Sequence, residues 1–234
     1  MPAIVGLSMA TTLSLSMLTA CDDDDDDLTE TVDEDDDVDS SSDIDSEDDT
    51  DSNSTTAGTA VDLGLSVKWA TVNIGATLPA DYGNYYAWGE TETKDEYTSD
   101  NSVTYNVSFT FGDISGRAKY DAATANWGGT WRMPTYIEMQ ELIDDCTWTY
   151  TTQGNSDGEE INGYLVESTN GNSIFLPATG SSLGNVGTKG TYWSSTSRAY
   201  DILYAYGLYF DSSSLYVGRY GSRYYGRSVR PVSE

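Results

Sequence analysis

The chain has 234 residues, a formal charge of −28 and no histidine. That balance excludes a basic nucleic-acid footprint and removes the commonest general base and metal ligand. The charge is lopsided: residues 22–51 hold 16 Asp and 3 Glu without a Lys or Arg, leaving −9 for the rest, so we expect a single folded domain of about 175 residues after it.

Residues 1–21 read as a secretory segment, an apolar, small-residue run too short and too rich in Ser and Thr for a membrane span. Its end, Leu18-Thr19-Ala20-Cys21, resembles the bacterial lipobox. The resemblance implies that Cys21 is acylated and anchors the mature protein to a membrane. No Lys or Arg precedes the apolar run, Lys68 being the first basic residue; the alternative is that Cys21 is a small apolar residue. Six Asp follow Cys21 at once. An acidic run in this position resembles the export signal of lipoproteins of gut Bacteroidetes, which implies the outer leaflet of the outer membrane and exposure at the cell surface.

The acidic composition of residues 22–58 cannot bury enough surface to offset chain entropy, so we predict a disordered linker. Self-repulsion would extend it to a reach on the order of 100 Å, the dimensions of a stalk. Calcium binding by its aspartates is the alternative, although no EF-hand spacing occurs. With Cys21 acylated, Cys146 has no partner and no disulfide is expected.

The folded part, 59–234, opens with a strand pair about a Gly turn at 60–70, then short aromatic strands punctuated by Gly at 71–76 and 81–90. Residues 91–116 read as a long surface loop. Two helices follow. The first covers Tyr120 to Trp127, with Asp121 near its start and Gly128-Gly129 as its stop. The second, Thr135 to Cys146, starts with Pro134 and a Thr135/Glu138 capping box and carries Ile137, Met139, Leu142, Ile143 and Cys146 on its apolar face. Hairpins with Asn/Asp-Gly corners link 147–152, 161–168 and 173–178. The expected class is α+β, two short helices on a mainly antiparallel sheet.

The last stretch, 191–232, holds nine of the 18 tyrosines and five of the 11 basic residues among runs of Ser and Gly. Tyr supplies large, rigid, amphipathic contact area, Ser and Gly adapt around it, and Arg stacks or forks onto carboxylates, as in antibody paratopes. The alternative is ordinary β-sheet chemistry, which also favours aromatics. Alternation at 204–210 and 215–218 predicts two antiparallel strands about Asp211-Ser212-Ser213-Ser214.

Several of these segments together match a known pattern. Trp127-Gly128-Gly129-Thr130-Trp131-Arg132-Met133-Pro134-Thr135 with Glu138 and Leu142, Ile174 to Ala178, Tyr192-Trp193-Ser194-Ser195-Thr196 and Gly226 to Val232 resemble the Fibrobacter succinogenes major paralogous domain. Val61 to Ala70 and Tyr85 to Glu90 resemble its Bacteroidetes members. The resemblance covers roughly 60–234 and implies a C-type-lectin-like fold, in which Trp127, Trp131, Arg132, Pro134, Thr135, Glu138 and Trp193 form the structural frame.

The same stretch also resembles the C-terminus of variable proteins diversified by retroelements, in which Asn-codon templates yield mixtures of Tyr, Ser, Asp, Arg, Gly, Leu and Ile. That resemblance implies a ligand-binding set of Arg198, Tyr200, Asp201, Ile202, Leu203, Tyr206, Leu215, Tyr216, Arg219, Tyr220, Ser222, Tyr224 and Tyr225. The expected function is non-catalytic display toward a protein or glycan ligand at the cell surface, with no cofactor, no metal and no nucleic acid. Calcium-dependent sugar binding is disfavoured because the E-P-N, Q-P-D and W-N-D motifs are absent. A fixed adhesin or surface-fibre subunit is the alternative. An enzyme akin to the formylglycine generators needs a cysteine pair, where the folded part offers Cys146 alone.

Overall fold

Ten short strands and two helices form in a computed structural model that describes residues 57–107, 111–198, 201–218 and 221–234. Cys21, the acidic linker through residue 56, and Tyr200, Arg219 and Tyr220 of the expected binding set lie outside the described residues. The described part is an α+β assembly, mostly antiparallel. Strand β1 (Ala60–Val61) pairs with β2 (Lys68–Ala70). Helices α1 (Ala122–Trp127) and α2 (Tyr136–Asp145) follow a long irregular stretch. Next come β3 (Cys146–Gly154), β4 (Glu160–Ser168) and β5 (Ser173–Pro177), a three-stranded sheet in chain order.

The last sheet is built from β6 (Gly190–Ser197), β7 (Tyr204–Phe210) and β8 (Leu215–Val217), with β9 (Gly221–Ser222) also pairing on β7. Strand β10 (Val232–Ser233) returns to pair with β2, Val232 opposite Trp69. The end of the chain therefore closes onto the first hairpin of the described residues.

Local signals account for the helices. Thr135 caps α2 by accepting from Glu138 N (3.2 Å), and the Glu138 carboxylate accepts from Thr135 N (2.7 Å) in return. The Arg132 guanidinium forks onto the same carboxylate at 2.9 and 2.7 Å. Pro134 offers its carbonyl to Ser195 N (2.8 Å), which fastens the helix start to β6. Asp121 caps α1 through Ala123 N and Thr124 N and also receives Met133 N and Gly116 N, so that one side chain binds four amides from three backbone segments.

Two expectations fail. Residues 71–76 and 81–90 are not strands; apart from a bridge between Tyr86 and Arg227 they are bends, with Gly75, Gly83 and Gly89 at positive φ breaking the extension. Ile137 is 75% exposed, because the Arg132–Glu138 fork rotates Glu138, Met139 and Leu142 inward instead. Cys146 ends α2 as its C-cap and at the same time opens β3.

Alternation along β6 and β7 feeds two cores. Tyr192, Leu208 and Phe210 enter one with Trp69, Leu142, Val166, Leu176 and Val232, while Trp193 and Ala205 enter the other with Ile74, Trp88, Ile114, Met133 and Val229. The shared sheet separates the two clusters. Of the expected frame residues, Trp193 is fully buried, whereas Trp127 and Trp131 are half-buried and pack edge to face at 5.1 Å. Trp69 and Trp88, which were not placed in the frame, are as deeply buried as Trp193.

Arg230, 1% exposed, ties the end of β2 and the bend after it to β5. Its guanidinium donates to Asn73 Oδ1 (2.8 Å), to the carbonyls of Ala70 (3.0 Å) and Thr71 (2.9 Å), and to that of Phe175 (2.9 Å). Replacement by Met would leave these acceptors buried and unpaired, so Arg230→Met should cost on the order of 3–5 kcal/mol in a urea unfolding titration. A loss below about 1 kcal/mol would overturn this assignment.

Asp81 joins the 77–81 turn to the β3–β4 corner, accepting from Leu78 N (2.8 Å) and Thr77 N (3.0 Å) on one oxygen and from Ser156 N (2.8 Å) on the other. Burial pushes its carboxyl up, but the hydrogen bonds, Ser156 first, outweigh burial and lower it from 3.8 to about 2. A depressed folded-state pKa gives stability that is present above the unfolded value and lost as pH falls through the folded one. Asp81→Asn should therefore lower the melting temperature at pH 7 and leave it near the parent's at pH 2. An equal deficit at both pH values would show that the charge is not what matters.

Candidate ligand-binding surface

The surface is built on β7, whose side chains alternate between the two faces of the last sheet. Tyr206, Leu208 and Phe210 point toward α2; Ala205, Gly207 and Tyr209 point the other way. Strand β8 continues the pattern, with Leu215 opposite Phe210 and Tyr216 opposite Tyr209. The expected binding residues are thus divided between two faces and a tip.

On the helix face, Tyr206 lies against Tyr136 of α2, ring centroids 4.8 Å apart. Leu215 is half-buried against the first core. On the opposite face Tyr216 stacks on Tyr209 at 4.9 Å with the ring planes 27° apart. Such pairs add about 0.5–1.5 kcal/mol beyond their buried area, which holds both rings in fixed poses while leaving them partly exposed.

At the tip, Arg198 pairs with Asp201 at 3.0 Å, and Asp201 also receives Leu203 N (3.0 Å). Ile202 and Leu203 are half-buried beside them, and the Leu203 carbonyl accepts from Arg223 N (2.9 Å). Tyr224 sits between Tyr105 (4.8 Å) and Tyr225 (4.6 Å), edge to face with each. Tyr225 in turn packs against the second core. Ser222 departs from the expected set: it is 8% exposed in β9, opposite Tyr204, and does not present its side chain for contact.

The arginines of this region have different duties. Arg223, 1% exposed, lies over the rings of Trp88 (4.6 Å) and Phe111 (5.5 Å) and donates to the carbonyls of Tyr204 and Thr104, both at 3.3 Å. Burial pushes its guanidinium down to about 10, against the opposing pull of Asp201. It fixes the tip from inside. Arg227 lies over the Trp193 ring at 4.3 Å, a contact that neither composition nor spacing discloses.

Five residues on or beside this surface were not anticipated: Tyr105, Tyr136, Lys189, Tyr209 and Arg227. For Tyr209 a signal exists in the small residues Ala205 and Gly207 that share its face, which mark a floor cleared for larger neighbours. For the other four, the contacts join positions far apart in the chain.

Among the described residues no group of three or more His, Cys, Asp or Glu is placed to hold a metal ion, and no helix is long and apolar enough to cross a membrane. Burial pushes the Cys146 thiol up, with Asp145 and Glu141 adding to the shift, so the thiolate is scarce at neutral pH. The chain matches no protein-family model, no curated protein and no solved structure.

The packing separates frame from surface energetically. Trp193→Ala, in the second core, should cost on the order of 3–5 kcal/mol. Tyr206→Ala and Tyr216→Ala, half-exposed, should each cost about 1 kcal/mol or less. Chemical denaturation of the three variants checks this; comparable losses would place the tyrosines in the core.

Proposed function

We propose that the chain is a non-catalytic display module with a C-type-lectin-like fold, of the Fibrobacter succinogenes major paralogous kind. In this reading it is a lipoprotein, anchored through Cys21 to the outer face of the outer membrane and held away from it by the acidic stalk. The 191–232 segment binds a protein or glycan ligand and is diversified by a retroelement. The observation that carries the reading is the set of tyrosine pairs, Tyr136–Tyr206, Tyr209–Tyr216 and Tyr105–Tyr224–Tyr225, held half-exposed on a sheet whose stability resides in buried Trp, Arg and aliphatic residues. Rigid aromatic contact area of this kind favours capture with little entropy lost. The raised Cys146 pKa and the structural use of Glu138 as a cap support the absence of catalysis.

A second reading, a fixed adhesin or surface-fibre subunit, draws support from Ser222 and Leu215. A binding position that is rewritten at random tolerates change poorly when buried, and these two are enclosed or half-enclosed. Deep sequencing of the 3′ end of the gene and its flanks in a growing clonal population separates the two. Diversification predicts a nearby near-copy of the 191–232 coding stretch and substitutions confined to adenine positions. An invariant terminus without such a copy removes the retroelement and leaves the fixed partner.

A further inference from the structure

Beside the tyrosine pairs lies a cavity of about 240 Å³ between the 180–189 loop and the outer face of β7. Lys189, Tyr209, Tyr225 and Arg227 line it together with Ser181 and Leu183, and none of the described residues that line it is acidic. The Arg227 guanidinium forms its base. A Cβ on Gly221 would fall 2.0 Å from one terminal nitrogen, so that glycine is needed for the group to sit over the Trp193 ring, and one on Gly207 would crowd the other at 3.2 Å.

Among the described residues this guanidinium has no hydrogen-bond acceptor. Its Nε is enclosed and makes no hydrogen bond, and among the described residues no hydrogen bond or ion pair reaches its terminal nitrogens. The other two enclosed arginines of the C-terminal stretch, Arg223 and Arg230, are both satisfied by carbonyl or amide oxygens. Lys189 brings a second cation to the rim, over the Tyr209 ring at 5.9 Å. Asp211, at the end of β7, is occupied with Tyr209 Oη (3.3 Å) and Ser213 N (2.9 Å). Burial pushes the Arg227 guanidinium down to about 10, with Tyr225 and Tyr216 pulling the other way, so it remains a cation at neutral pH.

A planar, weakly hydrated fork of donors with a second cation beside it and aromatic walls is built for an oxyanion of matching planarity. We propose that this cavity is a carboxylate-binding subsite, taking the carboxylate of a small ligand onto Arg227 and Lys189 with the ligand body against Tyr209 and Tyr225. The carboxylate could belong to an acidic sugar or to the free end of an amino acid or peptide. The two cations of the site stand outside the expected variable set, since Lys189 precedes the 191–232 segment and Arg227 is not in that set, whereas Tyr225 on the wall belongs to it.

Isothermal titration of the intact chain with glucuronate, glucose, N-acetyl-leucine and N-acetyl-leucinamide tests the proposal. At least one of the two acids should bind, about tenfold or more tighter than its neutral counterpart. Glucuronate alone assigns an acidic sugar, N-acetyl-leucine alone a chain end, and both together the carboxylate itself. Arg227→Gln should abolish the binding, and Lys189→Gln, a rim change with a parental melting temperature, should weaken it severalfold and make it less sensitive to salt. Binding of neither acid at millimolar concentrations, equal binding of acid and neutral partner, or undiminished binding by Lys189→Gln would each overturn the proposal. None of these results bears on the sequencing experiment, so the two readings fail separately.

Discussion

The buried guanidinium of Arg230 is the constraint on which the rest of the molecule depends. A cation in a protein interior is tolerated when its donors are met, and here they are met by neutral oxygens from three segments: Asn73, the Ala70 and Thr71 carbonyls, and Phe175. Those oxygens belong to the end of β2, the bend after it and β5. The whole C-terminal run behaves likewise. Arg227 exchanges backbone hydrogen bonds with Tyr86, Trp193 N reaches Ser228 O, Ile74 N reaches Val229 O, Ala70 N reaches Pro231 O, and Val232 pairs with Arg132. The run from Arg227 to Val232 is thus a seam sewn through the end of β2, the bends after it, the segment before α2 and β6. A sheet anchored from behind in this way can carry aromatic side chains in front without relying on them.

The legibility of the fold follows the range of the interactions. The Thr135–Glu138 capping box, the Asp121 cap and the β3–β4–β5 hairpins are decided within a few residues, and all stood in the sequence. Residues 71–90 did not, because Gly75, Gly83 and Gly89 were read as punctuation between strands when they are the points at which the chain turns to line the second core. Ile137 shows the same limit. Its spacing fits an apolar stripe, but the rotation of α2 is set by the Arg132 fork, a contact whose geometry no periodicity encodes.

The composition of the candidate surface stood in the sequence, and the placement of its residues did not. Tyr, Ser, Gly and Arg mark a surface, yet the same arginine in the same stretch serves three ends. Arg223 braces the tip over Trp88, Arg230 ties the end of β2 to β5, and Arg227 lies in a cavity without a hydrogen-bond acceptor among the described residues. What distinguishes them is the partner each finds, and those partners, Thr104, Phe175 and Trp193, lie far from them in the chain. Strand alternation does resolve part of the ambiguity. Once β7 is a strand, Tyr206 and Tyr209 must face opposite ways, and a set that includes Tyr206 and Tyr216 cannot belong to one face.

That division bears on how a ligand would be held. Tyr206 meets Tyr136 on the α2 face, whereas Tyr209, Tyr216, Tyr225 and Arg227 gather on the other. One compact ligand does not span a sheet, so the faces act separately unless a partner wraps its edge at Arg198, Asp201 and Tyr224. The face that carries Arg227 has the stronger claim to a defined contact. Its floor is stripped to Ala205, Gly207 and Gly221, and a side chain at either glycine would collide with the guanidinium or the β6 backbone. Exposed rings such as Tyr216 can change without that consequence. Fixed and replaceable positions are therefore interleaved on a single face: a small-residue floor and an immobile cation below, with exchangeable aromatic walls above.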